Sequence, residues 1–215
     1  TFKKTDVSGR VLRGAEFTFY DQTGRAIGTS VSDSTGTFRI RRPENGTYTF
    51  RETKAPNGYA LNPDIFSFTV NGSDVIRGTY EVVDKELEFT ITKLDGDSGL
   101  PLMGAGFRIE KGVSGVADKG LETEGEGETE AVTGADGTFT YHSATPGLYV
   151  IRETEAPQGY QLSDEVYEFT LDAVGRILGG AMTQDGAVMQ DGTTTQDGII
   201  TVSYTHLRAH ETLSD

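Results

Sequence analysis

Apolar and polar residues alternate along most of this chain, with the two-residue period of a β-strand. Runs rich in Thr, Val, Ile, Phe and Tyr are bounded by Gly, Asp, Asn and Pro, which is typical of strands joined by tight turns. Nowhere do apolar positions keep a helical spacing for more than one turn. The pattern therefore predicts an all-β protein built as a sandwich. No run of about 18 apolar residues is present, so we expect no membrane insertion.

Two parts of the chain repeat each other. FKKTDVSGRVLRGAEFTF at 2–19 returns as ITKLDGDSGLPLMGAGFRI at 91–109, and YTFRETKAPNGY at 48–59 returns as YVIRETEAPQGY at 149–160. A self-similar pair of this length predicts two domains in series.

The domain boundaries follow from these matches. We predict a first domain at 1–86 and a second at 87–202, whose last strand is truncated. The distance between matching residues grows along the chain, so the second copy carries about eleven additional residues, which fall within 111–134.

Three ionisable side chains share a face with the apolar residues of their predicted strands. In the first copy Lys4, Glu52 and Asp84 each fall on the apolar side, and Lys93 and Glu153 repeat the pattern in the second copy. Buried charges are rare unless they are paired, because removing an isolated charge from water is costly. We therefore predict that these groups meet in the core. The alternative is that each lies at a strand end and reaches water.

Composition excludes several classes of protein. The chain has 19 Lys and Arg against 33 Asp and Glu, a net charge of −14, and no cysteine. Disulfide scaffolds, thiol catalysis and Cys-based zinc sites are excluded, and the negative charge disfavours binding to nucleic acid. Three histidines leave little basis for a His-centred metal site, and no phosphate loop or nucleophile elbow occurs. We predict no metal and no cofactor.

The residues described above resemble those of the Cna-B-type domain. The resemblance rests on the Lys-x-Asp of the first strand, on the ETxAPxGY box at 52–59 and 153–160, and on a final strand that ends in Asp. It implies two tandem immunoglobulin-like/transthyretin-like β-sandwiches of the kind repeated in Gram-positive adhesins and sortase-assembled pilins. It also implies an extracellular location at the bacterial cell wall.

The resemblance further implies a covalent cross-link. In that family the lysine forms an intramolecular isopeptide bond with an Asn or Asp, and a glutamate promotes the reaction. By this match Lys4 is the nucleophile, Asp84 the acceptor and Glu52 the promoting residue, and Glu153 has the promoting position in the second copy.

The second copy departs from this pattern at its acceptor. Aligning TYEVVD with IITVSY places Tyr204 at the acceptor position, and a tyrosine cannot accept acyl transfer from lysine. Lys93 is therefore an unpaired candidate nucleophile. The segment VSYTHLRAHET resembles the translation of a sequencing adapter, so we expect 203–215 to be a non-native tail that includes His206 and His210.

These observations favour a structural stalk module, whose partners are the neighbouring repeats of the same chain and a host matrix ligand bound through other domains. We expect no enzyme activity beyond one self-cross-linking turnover. An alternative is an adhesive module that binds matrix protein or carbohydrate through loops 111–134 or 175–198, although these loops contain no aromatic residue. A glycosidase using Glu52 and Asp84 is the third hypothesis.

Overall fold

The computed structural model describes residues 1–41, 43–72, 74–78, 80–112, 128–184, 187–190 and 199–204. At 74–77, 180–184, 187–190 and 199–204 only the backbone is described. All regular structure in these ranges is β-strand, and none of it is a helix that could cross a membrane. The chain divides into two compact units, Thr1–Leu87 with His142–Thr145, and the remainder.

The described part of the first unit forms two sheets that face each other. One has the order β4-β1-β8 and the other the order β3-β2-β5-β6-β7. All neighbours are antiparallel except β1 and β8, which run parallel. The strands are β1 (Phe2–Asp6), β2 (Glu16–Tyr20), β3 (Ala26–Val31), β4 (Thr37–Phe38), β5 (Gly46–Lys54), β6 (Ile65–Asn71), β7 (Asp74–Gly78) and β8 (Glu81–Asp84).

Phenylalanine side chains from both sheets fill the core of this unit. The alternation in the sequence puts every second residue inward, so β2 buries Phe17 and Phe19 between half-buried neighbours. The ring of Phe17 stacks on that of Phe38 with centroids 3.7 Å apart, which joins the two sheets. The buried phenylalanines are Phe2, Phe17, Phe19, Phe38, Phe50 and Phe68.

The first and last strands of the unit lie side by side, although most of the domain separates them in sequence. In the parallel register, Lys4 lies opposite Val82 and Asp6 opposite Asp84. Gly36 supports this arrangement from the other side of β1, where its carbonyl accepts a hydrogen bond from the Lys4 amide at 2.7 Å. A Cβ at Gly36 would lie 2.5 Å from the Lys4 carbonyl oxygen, and its φ of +71° also favours glycine.

The second unit repeats the plan. Its described strands form one sheet with the order β12-β9-β17 and another with the order β11-β10-β13-β14-β15-β16. Strands β9 and β17 are parallel, as β1 and β8 are. The strands are β9 (Phe89–Asp95), β10 (Gly106–Lys111), β11 (Thr129–Val132), β12 (Thr138–Tyr141), β13 (Gly147–Glu155), β14 (Val166–Leu171), β15 (Ile177–Gln184), β16 (Ala187–Gln190) and β17 (Ile199–Tyr204).

The core of the second unit contains both aromatic and aliphatic side chains. Phe89 contacts the rings of Tyr149 and Phe169, with centroids 5.0 and 5.1 Å away. Ile91 and Ile109 are fully buried beside them. Each unit therefore buries the inward face that its alternation predicts.

Candidate functional site

Lys4, Glu52 and Asp84 come together in the core of the first unit. The Lys4 Nζ atom is in contact with Oδ1 of Asp84, and it lies 3.8 Å from Oε1 of Glu52. It also donates a hydrogen bond to the carbonyl oxygen of Val82 at 3.3 Å. All three ionisable side chains are completely shielded from solvent, so the alternative in which each reaches water does not apply.

The surroundings of the two carboxyl groups favour their protonated forms. Burial, reinforced by the charge of Asp84, raises the pKa of Glu52 to about 8. Burial also raises the pKa of Asp84, against the opposing effect of Lys4. Oε1 of Glu52 and both oxygens of Asp84 are buried without a well-aligned hydrogen bond from another group. A neutral Glu52 beside Asp84 is therefore the state that this environment stabilises near neutral pH.

A loop between β5 and β6 fixes the Glu52 side chain. The backbone N–H of Asn62 donates a hydrogen bond to Oε2 of Glu52 at 2.8 Å. The Asn62 side-chain amide donates to the carbonyl oxygen of Val83 at 3.1 Å, next to Asp84 in the chain. Asn62 thus links the strand that carries the glutamate to the strand that carries the aspartate. The role of Asn62 was not predicted, because nothing in the sequence around it indicates a contact with Glu52.

Lys93 and Glu153 form the corresponding pair in the second unit. Lys93 Nζ lies 3.0 Å from Oε1 of Glu153, and both side chains are almost fully buried. The N–H of Ser163 donates to Oε2 of Glu153 at 3.0 Å. Burial lowers the pKa of Lys93, against the opposing effect of Glu153. The backbone of Tyr204 lies opposite Asp95 in the parallel register, as that of Asp84 lies opposite Asp6.

A second carboxyl group near Lys93 was not predicted. Glu165 is buried, and its negative charge helps to keep the pKa of Lys93 from falling further. Its Oε2 atom accepts a hydrogen bond from the Tyr167 hydroxyl at 2.8 Å. The two-residue alternation places Glu165 on the same face as Tyr167 and Phe169, so the signal was present in the sequence.

The aspartate of the Lys-x-Asp motif has a structural role of its own. Asp6 accepts hydrogen bonds from the backbone N–H of Ser8 and of Arg10, and from the Tyr59 hydroxyl at 3.2 Å. In the second unit Asp95 accepts one from the Tyr160 hydroxyl at 2.6 Å. Hydrogen bonds hold the pKa of Asp6 well below its usual range, and the bond from the Ser8 hydroxyl has the largest effect. The tyrosines that close both ETxAPxGY boxes therefore anchor the turn after the first strand.

Some sequence predictions fall outside the described residues. They are the central part of the insertion, 113–127, most of the second half of the 175–198 loop, and the tail residues 205–215 with His206 and His210. The glycosidase hypothesis fails on the described residues. Glu52 and Asp84 are enclosed in a packed core with a lysine against them, so a sugar ring cannot reach them.

The repeats match a known family. A family model described as "SpaA: Prealbumin-like fold domain" matches residues 1–86 and again residues 87–183. The chain belongs to this family. The match confirms the resemblance to Cna-B-type repeats and the prediction of tandem β-sandwiches.

Relatives of these SpaA prealbumin-like domains occur in staphylococcal surface proteins. "Serine-aspartate repeat-containing protein F" of Staphylococcus epidermidis is 26% identical over 169 residues, which cover 72% of this chain and 10% of that protein. The "Collagen adhesin" of Staphylococcus aureus is 28% identical over 112 residues, 52% of this chain and 9% of that protein. The chain thus spans about a tenth of the length of these curated relatives.

A solved structure has the same fold. The C-terminal fragment of the pilus adhesin SpaC from Lactobacillus rhamnosus GG, in an iodide-soaked crystal, superposes with a TM-score of 0.51. It is 16% identical in sequence, and the match covers 94% of this chain and 95% of that one. This likeness agrees with the fold of the SpaA prealbumin-like family. The staphylococcal relatives named above are not enzymes, as predicted.

Proposed function

We propose that this chain is a stalk module of a Gram-positive cell-wall surface protein, an adhesin or a pilin, and that its first domain is braced by a Lys4–Asp84 isopeptide bond. The family match and the staphylococcal relatives support the first part. The second part rests on one observation, the contact of the Lys4 Nζ atom with the Asp84 carboxyl beside Glu52 inside a water-free core.

The proposed reaction is a condensation between the two side chains. The ammonium of Lys4 passes a proton to Asp84, and the neutral amine attacks Cγ of the protonated Asp84 carboxyl. A C–N bond forms, one C–O bond breaks, and the oxygen leaves as water with protons relayed by Glu52. A neutral Glu52 also donates a hydrogen bond to the Asp84 oxygen on which negative charge develops.

The folded domain itself lowers the barrier to this reaction. Holding an amine and a carboxyl group in contact removes the cost of bringing two reactants together, which reaches ~7–11 kcal/mol for well-oriented groups. The solvent-free core favours the neutral reactants, and it keeps water from hydrolysing the product. The first domain reacts once with itself, so this is not catalysis of an external substrate.

The bond would brace the domain against unfolding and against force. It closes a loop of about 80 residues, which by the chain-entropy estimate stabilises the domain by roughly 4 kcal/mol. Because β1 and β8 are the first and last strands of the unit and lie side by side, tension between its two ends would pass through the bond. The strands between Lys4 and Asp84 in the chain would then carry little of the tension.

Partners and location follow from the same proposal. We place the chain outside the cell, at the surface, where the named relatives act. Its direct partners would be neighbouring repeats, and a host matrix ligand would bind through other domains of the parent protein. The name of the collagen adhesin supports a matrix ligand of this kind.

Intact-mass spectrometry of the purified chain tests the bond. We expect a mass lower than the sequence mass by one water, and the full mass in Lys4→Ala, Asp84→Ala and Glu52→Gln. Lys3→Ala is the matched control, because Lys3 is the exposed neighbour of Lys4 and donates to the carbonyl of Thr35. It should keep the loss of one water.

Peptide mapping after digestion completes the test. A branched peptide containing both Lys4 and Asp84 would locate the bond. The unmodified mass in a wild-type chain with a cooperative unfolding transition would refute the brace and would leave Lys4 and Asp84 as a buried ion pair.

A further inference from the structure

Strand β3 is an exposed sheet edge that carries neither a charge nor a proline, although its pairing with β2 shifts register between Phe19 and Tyr20. Its sequence, AIGTSV, contains no charged residue and no proline, whereas natural edge strands commonly carry such residues to prevent pairing with other chains. The corresponding edge strand of the second unit, β11, carries Glu130, which pairs with Arg108. β3 is therefore open to strand addition.

A cleft of about 810 Å³ runs between β3 and the short edge strand β4. Its lining includes Phe19 and Phe38, whose rings are almost fully buried, and Ile27 and Val31, which are 41% and 56% exposed. The space above Gly28 is open, since a Cβ built there would meet no atom within 4 Å. The cleft thus gives access to the free edge of β3 and exposes little of the core.

The backbone of β3 can pair with a further strand on the side that faces away from β2. The N–H of Ser32, just after β3, donates to the carbonyl of Ala15, just before β2. Backbone groups alternate in direction along a strand, so those of Val31 and Thr29 point away from β2. These groups are the ones that an added strand would pair with.

Two exposed arginines lie at the cleft. Arg39 and Arg41 line it, and within the described part of the chain neither guanidinium has a carboxylate in salt-bridge contact. Among the described residues that line the cleft, the acidic one is Asp33. Its Oδ1 atom accepts hydrogen bonds from Thr35 and Thr37 in a tight turn. These bonds, with a smaller effect of the Arg39 charge, lower the pKa of Asp33.

From these observations we infer that the cleft between β3 and β4 binds an extended acidic segment of another protein by β-strand addition. The segment would pair with β3 through its backbone and place carboxylates on Arg39 and Arg41. A second copy of this chain fits less well, because pairing two β3 edges about a twofold axis would oppose the same arginines.

This inference does not depend on the isopeptide bond. In its sheet β1 is flanked by β4 on one side and by β8 on the other, so the cleft and the Lys4 site lie on opposite sides of β1. A Lys4→Ala chain that remains folded should bind the segment as the wild type does.

Peptide binding to the full chain tests the inference. The probe is a fluorescein-labelled peptide of about eight residues that alternates Glu and Val, a length that covers one strand. We expect saturable binding by fluorescence anisotropy, and new hydrogen-exchange protection of the Thr29 and Val31 amides. A peptide that alternates Lys and Val should bind roughly tenfold or more weakly, because it reverses the charge.

Two variants test the charges and the edge separately. Arg39→Glu with Arg41→Glu should weaken binding of the acidic peptide by roughly tenfold or more. Thr29→Pro, which removes an outward N–H, should weaken it without changing the net charge. The matched control is Arg13→Glu with Arg25→Glu, the same charge change at exposed residues that do not line the cleft.

Several outcomes would overturn the inference. One is equal binding of the acidic and basic peptides, and another is an equal loss of affinity in the control variant, which would indicate a diffuse charge effect. Protection of amides elsewhere while Thr29 and Val31 stay unprotected would place the site at another edge. A dimer in sedimentation experiments that Thr29→Pro dissociates would assign the cleft to a second copy.

Discussion

At the scale of single residues, the core of the first unit contains three ionisable side chains of types that are normally solvated. Lys4, Glu52 and Asp84 are tolerated because they contact one another and because burial favours a neutral Glu52. A buried ion pair by itself contributes little to stability, since the cost of desolvation offsets the attraction. Their placement is better explained by the reaction that we propose than by stability alone.

Formation of the bond should depend on the protonation of Glu52. Glu52 carries its proton below a pKa of about 8 and loses it above. Loss of that proton adds a second negative charge beside Asp84 and removes the hydrogen-bond donor. We therefore expect the rate of bond formation to fall as the pH rises through about 8. The measurement is the time course of water loss by mass spectrometry after refolding from about pH 6 to about pH 10.

Glu52→Gln provides the comparison for this pH profile. Glutamine keeps the shape and a donor but cannot relay a proton, so the reaction should be slow at every pH. A wild-type rate that keeps increasing above pH 8 would contradict a role for protonated Glu52, and it would point to loss of the Lys4 proton as the limiting step.

At the scale of elements, β5 connects the aromatic core to the reactive site. Phe50 and Glu52 lie on its inward face, and Phe50 contacts the rings of Phe2, Phe17 and Phe66 with centroids 4.9, 6.0 and 5.2 Å away. The same strand that packs the core therefore sets the depth and direction of the Glu52 side chain. A substitution that disturbs the packing of Phe50 should therefore affect both the core and the position of the Glu52 side chain.

Truncating Phe50 tests this coupling. Phe50→Ala should lower the free energy of unfolding of the first domain by about 3–5 kcal/mol, because it leaves a cavity in a fully buried site. It should also slow formation of the bond. Urea denaturation and the mass time course measure the two effects.

Ile65→Ala is the surface control for this variant, since Ile65 is 71% exposed on the neighbouring strand β6. Ile65→Ala should change the free energy of unfolding by no more than about 0.5 kcal/mol. A loss of stability in Phe50→Ala with an unchanged rate of bond formation would show that core packing and site geometry are independent.

At the scale of the whole molecule, the two units share one plan but differ at the acceptor position and in the number of described strands in the larger sheet. Each pairs its first and last strands in parallel and buries a lysine beside a glutamate. Where the first unit has Asp84, the register of the second has Tyr204. By our proposal the second unit therefore has a candidate nucleophile and a candidate promoting acid but a tyrosine at the acceptor position, and it is the less stable of the two.

Restoring the acceptor should restore the chemistry. We expect Tyr204→Asp to lose one further water, and this additional loss should disappear in Glu153→Gln. Ser203→Asp is the matched control, because it places the same side chain one position away in the backbone register. Intact mass and peptide mapping to Lys93 measure the result. An unchanged mass in a folded Tyr204→Asp chain would show that backbone register alone does not create an acceptor.

The strands and their inward positions could be predicted from the sequence. Alternation with period two identified the strands and placed Lys4, Glu52 and Lys93 on their apolar faces, because the direction of a side chain in a strand depends only on parity. The internal repeat indicated two domains, because each copy carries its own set of strand patterns. The same parity rule applied to the strand after Ser163 would also have found Glu165.

Which of the inward ionisable groups contact one another could be seen only in the tertiary structure. The parallel pairing of β1 with β8 brings Lys4 to Asp84 across the whole domain, and the Asn62 loop brings a backbone N–H to Glu52. The cleft at β3 likewise depends on two edge strands from different sheets. These contacts are long-range, and local patterns cannot encode them, because they depend on how the two sheets pack and on which strands lie at the edges.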